Sequence, residues 1–253
     1  MNGRTPWILL RGLMRDQRHW GAFPQQLVAA VPEARVVPID LPGNGALHAM
    51  RSPDTVEAMA DHVRAQLWRQ GLRPPYHLLA MSLGAMVSVA WAQRHPAEVA
   101  AAVLINTSLR PYSRFHERLQ PVAWPTLLRL ALGAPSPAAV EAAILRLTTR
   151  NPAAAEVLPD WIAWRQRHPV RRGNALRQLW AAARFRAAEA PPAPPMLLLN
   201  GAADRLVSPR CSARLAAAWG VPLRVHPDAG HDLPLDDGAW VAAEVADWLA
   251  DRH

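Results

Sequence analysis

The sequence predicts an α/β domain in which helices flank a mostly parallel sheet of about six strands and a helical segment interrupts the sheet. Short apolar runs alternate with amphipathic stretches over the first 109 residues. Between residues 112 and 189 the strand-like runs disappear, and after residue 195 they resume. With 253 residues, of which 51% are hydrophobic, the chain is long and apolar enough to form such a core.

The first part of the chain is typical of βαβ units. Four apolar runs, each bounded by Gly, Pro or Asn, predict buried parallel strands at residues 7–10, 35–39, 76–80 and 101–105. Between the second and third runs, apolar residues recur with helical spacing at Val56, Met59, Val63 and Leu67. Asp54, with Glu57 three residues later, is the predicted N-terminal cap of that helix. This alternation predicts a parallel sheet.

The second part of the chain adds a helical insertion and then completes the sheet. Residues 112–189 are rich in Ala, Leu, Arg and Trp and are broken by Pro, which predicts a helical insertion, referred to below as the predicted lid. A Pro-rich connector follows, and then come strands at 196–199 and 223–225 and helices at 209–219 and 238–250. The predicted domains are therefore a core made of residues 1–111 and 190–253 and a lid made of residues 112–189.

The positive charge of the chain is concentrated in the predicted lid. The formal net charge is +8, and all 28 basic residues are Arg. Residues 110–190 contain 13 Arg and five acidic residues, whereas the rest of the chain contains 15 of each. The asymmetry indicates either a solvated basic face or a docking surface for an acidic partner. Nucleic-acid binding is not expected, because the segment has no recognisable nucleic-acid module and its Arg residues are spread across helices.

Composition also limits the compartment and the cofactors. No apolar run is long enough to span a membrane, and no export signal opens the chain, so we expect a soluble, cytoplasmic protein. Cys211 is the single cysteine, which excludes an internal disulfide and a cysteine-based zinc site. The histidines show no paired metal-binding spacing, and no glycine-rich phosphate loop opens a helix. We therefore expect neither a metal nor a cofactor.

Ser82 is the candidate nucleophile. The segment from His77 to Met86 is a predicted buried strand that passes through a sharp turn at Ser82 directly into an apolar helix. Such a turn pushes a hydroxyl out at the carboxyl edge of the sheet, and the helix N-terminus behind it supplies free N–H groups. The motif is A-x-S-x-G, in which Gly84 permits close backbone packing. The alternative is that Ser82 only caps the helix.

Asp204 and His231 complete a candidate triad with Ser82. Asp204 lies in the loop after the predicted strand 196–199, and His231 lies between the last predicted strand and the last helix. All three residues therefore reach the same edge of the sheet. A serine nucleophile needs a histidine base, and the histidine needs a carboxylate that fixes its tautomer. The order Ser, Asp, His is that of the α/β-hydrolases. Alternatively, Asp204 caps a turn and His231 is a surface residue.

The chain resembles the α/β-hydrolase superfamily over nearly its whole length. The segment from Asp40 to Gly45 is similar to the family's D-x-P-G-x-G loop, and Arg11-Gly12-Leu13 is similar to its His-Gly-x loop. The resemblance implies that the backbone N–H groups of Leu13 and Leu83 form an oxyanion hole. Two residues depart from the family pattern: Arg11 replaces the usual His and Ala80 the usual Gly. The family's leading β-hairpin is missing, which again gives six strands.

The resemblance implies a serine hydrolase that cleaves a carboxylic ester or thioester through an acyl-enzyme. Dehalogenases and epoxide hydrolases are excluded, since they carry Asp at the position of Ser82. Hydroxynitrile lyases and cofactor-free oxygenases keep the serine turn and stay open, as does a non-catalytic ligand-binding module. For the substrate pocket we predict a small acyl ester against Gly12 and aromatic residues of the lid, namely Trp124, Trp161, Trp164 and Trp180.

The second half of the predicted lid is a candidate docking surface. Its arginines include Arg146, Arg150, Arg165, Arg167, Arg171 and Arg172. Arg146 and Arg150 are four residues apart, so on a helix they share one face and repel each other unless an anion lies opposite. The layout is similar to that of the pimeloyl-carrier-protein methyl ester esterases, whose basic lid receives an acidic acyl carrier protein. The resemblance implies the same kind of partner here.

Overall fold

A six-stranded, all-parallel sheet forms the centre of the molecule in the computed structural model, which describes residues 5–133 and 135–252. The strand order is β2-β1-β3-β4-β5-β6. The strands are β1 (Pro6–Leu10), β2 (Arg35–Ile39), β3 (Tyr76–Met81), β4 (Val99–Ile105), β5 (Met196–Gly201) and β6 (Leu223–His226). Each predicted strand is confirmed, and five of the six extend one or two residues beyond the apolar run that predicted them.

Helices cover both faces of the sheet. On one face, α2 (Val56–Arg69), α3 (Leu83–Arg94) and α9 (Pro209–Trp219) pack in a cluster that includes Ile8 and Leu10. On the other face, α1 (Phe23–Ala30) and α10 (Leu233–Ala250) pack in a cluster that includes Trp7 and Leu9. Because successive side chains of a strand point to opposite faces, a continuous apolar run supplies both layers.

Two helix boundaries differ from the sequence prediction. The N-cap of α2 is Thr55, whose Oγ1 accepts a hydrogen bond from Ala58 N at 3.3 Å, so the predicted Asp54 cap was wrong. Asp54 instead forms an ion pair with Arg177 at 3.4 Å. The last helix begins at Leu233 rather than at residue 238, because a kink at Asp237 joins two helical pieces. Among the described residues, no helix is both long and apolar enough to cross a membrane.

The segment between β4 and β5 is helical throughout its regular part. It contains α4 (Phe115–Arg118), α5 (Trp124–Leu132), α6 (Pro137–Thr148), α7 (Leu158–Arg167) and α8 (Arg172–Arg184), which we call the helical insertion. Helix α6 ends at Thr148, so Arg150 lies beyond the helix that carries Arg146, and the prediction of a shared helical face was wrong. The insertion begins after the carboxyl end of β4 and ends before the start of β5.

Candidate active site

Ser82 occupies a strained turn at the carboxyl end of β3. Its backbone has φ 54° and ψ −115°, a left-handed conformation that is uncommon for residues other than glycine. Ser82 N donates a hydrogen bond to Ile105 O at 3.0 Å, which ties the turn to β4. The side chain makes no capping hydrogen bond with α3, so the alternative in which Ser82 only caps the helix is wrong.

Gly84 lets this turn approach the neighbouring strand. A Cβ atom placed on Gly84 would lie 2.4 Å from Leu10 O and 2.7 Å from Arg11 O, so any larger residue would push α3 away from β1. The close approach brings the loop after β1 against the serine. A Cβ atom on Gly12 would lie 3.1 Å from Ser82 Cβ and 3.6 Å from Ser82 Oγ. The predicted oxyanion loop is therefore in contact with the candidate nucleophile.

Two backbone N–H groups next to this contact have no hydrogen-bond acceptor within the described residues. Leu83 is the first residue of α3, and the first N–H groups of an α-helix have no partner within the helix. Leu13 N donates to no acceptor within residues 5–133 and 135–252. Both residues adjoin the contact between Gly12 and Ser82, so their N–H groups are available to an anionic oxygen formed there.

Asp204 and His231 form a buried pair at the same edge of the sheet. Asp204 Oδ2 accepts a hydrogen bond from His231 Nδ1 at 2.7 Å. The other oxygen, Oδ1, accepts from Leu206 N at 2.7 Å and from Val207 N at 3.0 Å, which fixes the carboxylate plane. Because Nδ1 donates to the carboxylate, the neutral ring presents Nε2 as its acceptor. Asp204 thus caps a turn and orients a histidine at the same time.

Asn106, which the sequence reasoning missed, joins the serine side of the site to the histidine side. It directly follows β4, next to the Ile105 carbonyl that holds Ser82 N. Its Nδ2 donates to Gly230 O at 3.0 Å and to His231 O at 2.8 Å. Its Oδ1 accepts from Asn200 Nδ2 at 2.8 Å and Gly201 N at 2.9 Å. The available signal was a lone amide immediately after an apolar strand.

The histidine and the serine are brought to one edge without a direct bond between them. Among the described residues, Ser82 Oγ makes no hydrogen bond to His231. The backbone oxygen of Ser82 accepts a hydrogen bond from Thr107 Oγ1 at 3.4 Å. In free enzymes such catalytic bonds are often long and shorten when the substrate binds. Within the same described ranges, no group of three or more His, Cys, Asp and Glu side chains is placed to hold a metal ion.

A buried ion pair lies beside both loops of the site. Arg11 Nη1 and Nη2 donate to Asp232 Oδ1 and Oδ2 at 3.0 and 2.6 Å, and the two side chains are 2% and 3% exposed. Burial opposes ionisation of Asp232, but the charge and hydrogen bonds of Arg11 outweigh it and hold the pKa of this carboxyl below its ordinary value. Arg11 also lies over the Trp20 ring, 4.9 Å from its centroid.

The tryptophans of the insertion divide into two pairs. Trp161 is buried below the Arg15 guanidinium, which lies 4.1 Å from the ring centroid, and Trp164 packs on His19 at 5.3 Å. Trp124 and Trp180 are 42% and 56% exposed. The first pair packs on the loop that follows Gly12, whereas the second pair has no described contact with that loop. The assignment of all four to the substrate pocket stays a prediction.

The predicted docking arginines also divide into two groups. Arg165 pairs with Glu141, which Arg15 contacts at 2.6 Å, and Arg150 donates to backbone carbonyls that include Ala203 O at 3.2 Å. These two arginines bind the insertion to itself and to the core. The remaining four predicted docking arginines are exposed, namely Arg146, Arg167, Arg171 and Arg172. The docking role stays a prediction.

Comparisons with known proteins place this geometry in a family. Residues 7–244 match the model of the alpha/beta hydrolase family, so the chain belongs to that family. No curated protein matches the chain. Among solved structures, a thermophilic esterase from Thermogutta terrifontis is 23% identical with a TM-score of 0.75, and the alignment covers 98% of this chain and 90% of that one.

Two further solved structures have the same fold. The enol-lactonase from Burkholderia xenovorans LB400 is 22% identical with a TM-score of 0.77, and the alignment covers 98% of this chain and 92% of that one. A hydrolase from Pseudomonas aeruginosa PA01 is 22% identical with a TM-score of 0.75, covering 97% and 89%. These likenesses support the fold, and the family supports a hydrolase.

Proposed function

We propose that this protein is a serine hydrolase that cleaves a carboxylic ester or thioester. The observation that carries the proposal is the buried Asp204–His231 hydrogen bond of 2.7 Å at the sheet edge where Ser82 occupies its strained turn. A carboxylate that fixes a histidine near a serine is the arrangement that activates a hydroxyl nucleophile. The contact of Gly12 with Ser82 brings the loop that carries the Leu13 N–H to the serine.

The reaction follows from these positions. Ser82 Oγ attacks the acyl carbon while His231 Nε2 accepts its proton, and the N–H groups of Leu13 and Leu83 stabilise the tetrahedral oxyanion. His231 then donates that proton to the leaving alkoxide or thiolate as the ester bond breaks. Water then attacks the acyl-serine while His231 Nε2 accepts a proton from it, and His231 passes this second proton to Ser82 Oγ as the acid leaves. Asp204 keeps the imidazolium oriented through both halves.

The test of this proposal removes only the nucleophile. Ser82→Ala should lower the kcat for hydrolysis of a short p-nitrophenyl ester by about 10⁶-fold, which leaves no detectable turnover. Ser88→Ala is the matched control, since Ser88 is buried in the same helix and its hydroxyl has no partner among the described residues. Both variants should fold like the parent protein by circular dichroism. Ester turnover that survives in Ser82→Ala would overturn the proposal.

A carrier-protein-bound ester is the second candidate substrate, and a specific observation favours it. The whole excess charge of +8 lies in residues 110–190, and four arginines of that segment, Arg146, Arg167, Arg171 and Arg172, have exposed side chains. Exposed charges of one sign accelerate association with an oppositely charged protein and are screened by salt. An acidic acyl carrier protein that presents a methyl ester fits this surface.

Salt dependence distinguishes the carrier-bound substrate from a free ester. With a carrier substrate, kcat/KM should fall at least fivefold between about 50 and 300 mM NaCl, whereas hydrolysis of a neutral p-nitrophenyl ester should change little. Arg167→Glu with Arg171→Glu should cause the same selective loss. Arg69→Glu with Arg73→Glu makes an equal charge change on exposed residues outside the insertion and is the control. Equal salt responses for both substrates would reject the carrier protein.

A further inference from the structure

We infer that the buried Arg11–Asp232 ion pair positions the site in two ways. It joins the oxyanion loop, which contains Gly12, to the histidine loop, which contains His231, and the charge of Arg11 balances the negative charge of Asp232 beside His231. This inference rests on the proposed serine hydrolase mechanism. Arg11 immediately precedes Gly12, which contacts Ser82, and Asp232 immediately follows His231. The pair is thus one residue away from the site on each side, although 221 positions separate its members in the chain.

The geometry of the pair restrains both loops. Both carboxylate oxygens of Asp232 accept from the same guanidinium, at 3.0 and 2.6 Å, so Asp232 can neither rotate nor withdraw without losing a hydrogen bond. Asp232 N donates to Thr148 O at 2.8 Å, which attaches the histidine loop to the insertion as well. Movement of the His231 ring relative to the Leu13 N–H is therefore opposed by a two-armed contact.

Stability alone is a weak reason for such a pair. Taking two charges out of water costs about as much as their attraction returns, and well-packed apolar residues can often replace a buried pair. Arg11 Nε, moreover, is buried with no hydrogen-bond partner in the described part of the chain, so the pair is not optimised for bonding. What the pair achieves that an apolar contact would not is a fixed orientation and a balanced charge next to the base.

The charge balance has a direct consequence for His231. The charged groups near His231 and its neighbours are Asp204, which accepts from the ring, and Asp232, which has Arg11 and Arg15 near it. Beside Asp204 and Gly230 lie Arg150, Arg205 and Asp236. If Asp232 becomes neutral, Arg11 is left as an uncompensated buried cation, because arginine does not deprotonate in proteins. A nearby cation disfavours the protonated imidazolium.

The test separates the charge from the tether. In Asp232→Asn, the acidic limb of the kcat/KM profile for a p-nitrophenyl ester should move about one pH unit lower, since the base stays unprotonated in more acidic solution. In the double variant Arg11→Met, Asp232→Asn, both charges are gone and the limb should return to its original position. The single variant keeps one accepting oxygen for Arg11 and the double variant keeps none, so kcat should fall severalfold in the single variant and about tenfold in the double variant, with little change in KM in either.

Controls keep the outcomes distinct. Arg64→Met breaks a two-armed pair with Glu98 far from the site and should move neither the limb nor kcat. Arg11→Lys keeps both charges without the forked geometry, so it should lower kcat and leave the limb in place, which also serves if Asp232→Asn does not fold. A kcat/KM profile of Asp232→Asn that superimposes on the parent profile would overturn the inference. The proposed function would still be supported in that case if the parent hydrolyses the ester and Ser82→Ala does not.

Discussion

At the scale of single residues, the site depends on positions where the family pattern changes. Arg11 stands where the family has His, and it is accommodated because Asp232 supplies a buried counter-ion and Trp20 a ring below the guanidinium. A buried arginine without that carboxylate would be strongly destabilising. The arginine at position 11 is therefore matched by a carboxylate from a loop near the other end of the chain, next to His231.

The catalytic candidates were predictable from the sequence, whereas their supports were not. Ser82, Asp204 and His231 each follow a strand, and the carboxyl ends of parallel strands meet at one edge, so local patterns place all three. Asn106 and Asp232 act through hydrogen bonds to residues 124 and 221 positions away. No periodicity encodes such contacts, because they depend on how two loops pack after the sheet has formed.

His19 should make the stability of the protein depend on pH. Burial, together with the charge of Arg15, lowers the pKa of His19 to about 4 from an ordinary value of 6.5. Arg15 Nη1 lies 3.0 Å from His19 Nε2, a contact that only the neutral ring accepts. Between about pH 6.5 and pH 4, His19 is protonated in the unfolded chain but not in the folded chain. As the pH falls through this range, the free energy of unfolding should therefore decrease by up to about 3 kcal/mol.

Urea denaturation at pH 7.5 and pH 4.5 measures this dependence. The parent protein should lose more stability over that interval than His19→Gln, whose amide does not titrate, because the lost contribution belongs to the depressed His19 pKa. Stability that depends on pH equally in both proteins would show that His19 does not carry the effect. The comparison uses differences between pH values, so the baseline cost of the substitution cancels.

At the scale of secondary-structure elements, the helical insertion is attached to the core by two buried amides on α8. Asn174 Oδ1 accepts from Ser52 N at 3.0 Å, and Gln178 Oε1 accepts from Met14 N at 3.0 Å. The two residues are four apart, so they share one face of the helix. The sequence predicted that this segment is helical and drew attention to its Arg and Trp residues. It gave no indication of which polar residues would face the core.

Gln178→Leu should weaken this attachment. The substitution leaves Met14 N without its acceptor and Asn44 Oδ1 without the Nε2 donor at 2.8 Å, so the free energy of unfolding should fall by about 2–4 kcal/mol. Because Met14 follows Leu13, whose N–H is the candidate oxyanion donor, kcat for an ester should fall as well. Gln166→Leu makes the same change on an exposed residue of α7 and should cost less than about 0.5 kcal/mol. Equal stability of the two variants in urea would contradict the anchoring role.

At the scale of the whole molecule, the candidate triad and the net positive charge lie in different parts of the chain. The sheet and its flanking helices supply the edge that carries the candidate triad, and the chain outside residues 110–190 has no net charge. The whole excess of +8 lies in residues 110–190, in the insertion. The core followed from apolar runs of strand length, because a buried parallel strand is apolar on both faces. The helix bounds and the packing within the insertion did not follow, since its helices are short and eight of its large apolar residues are exposed: Phe115, Val122, Trp124, Leu128, Leu132, Leu176, Leu179 and Trp180.

Labelling with a fluorophosphonate shows whether Ser82 is a nucleophile that His231 and Asp204 activate. We expect one adduct per folded molecule, located by mass spectrometry on the peptide that contains Ser82, with loss of fluoride as the Oγ–P bond forms. Ser82→Ala should not be labelled, Ser88→Ala should be labelled like the parent, and His231→Gln should react at least 100-fold more slowly. A folded parent protein that stays unlabelled, or an adduct formed equally in Ser82→Ala, would contradict the account and favour a non-catalytic ligand-binding protein on the same fold.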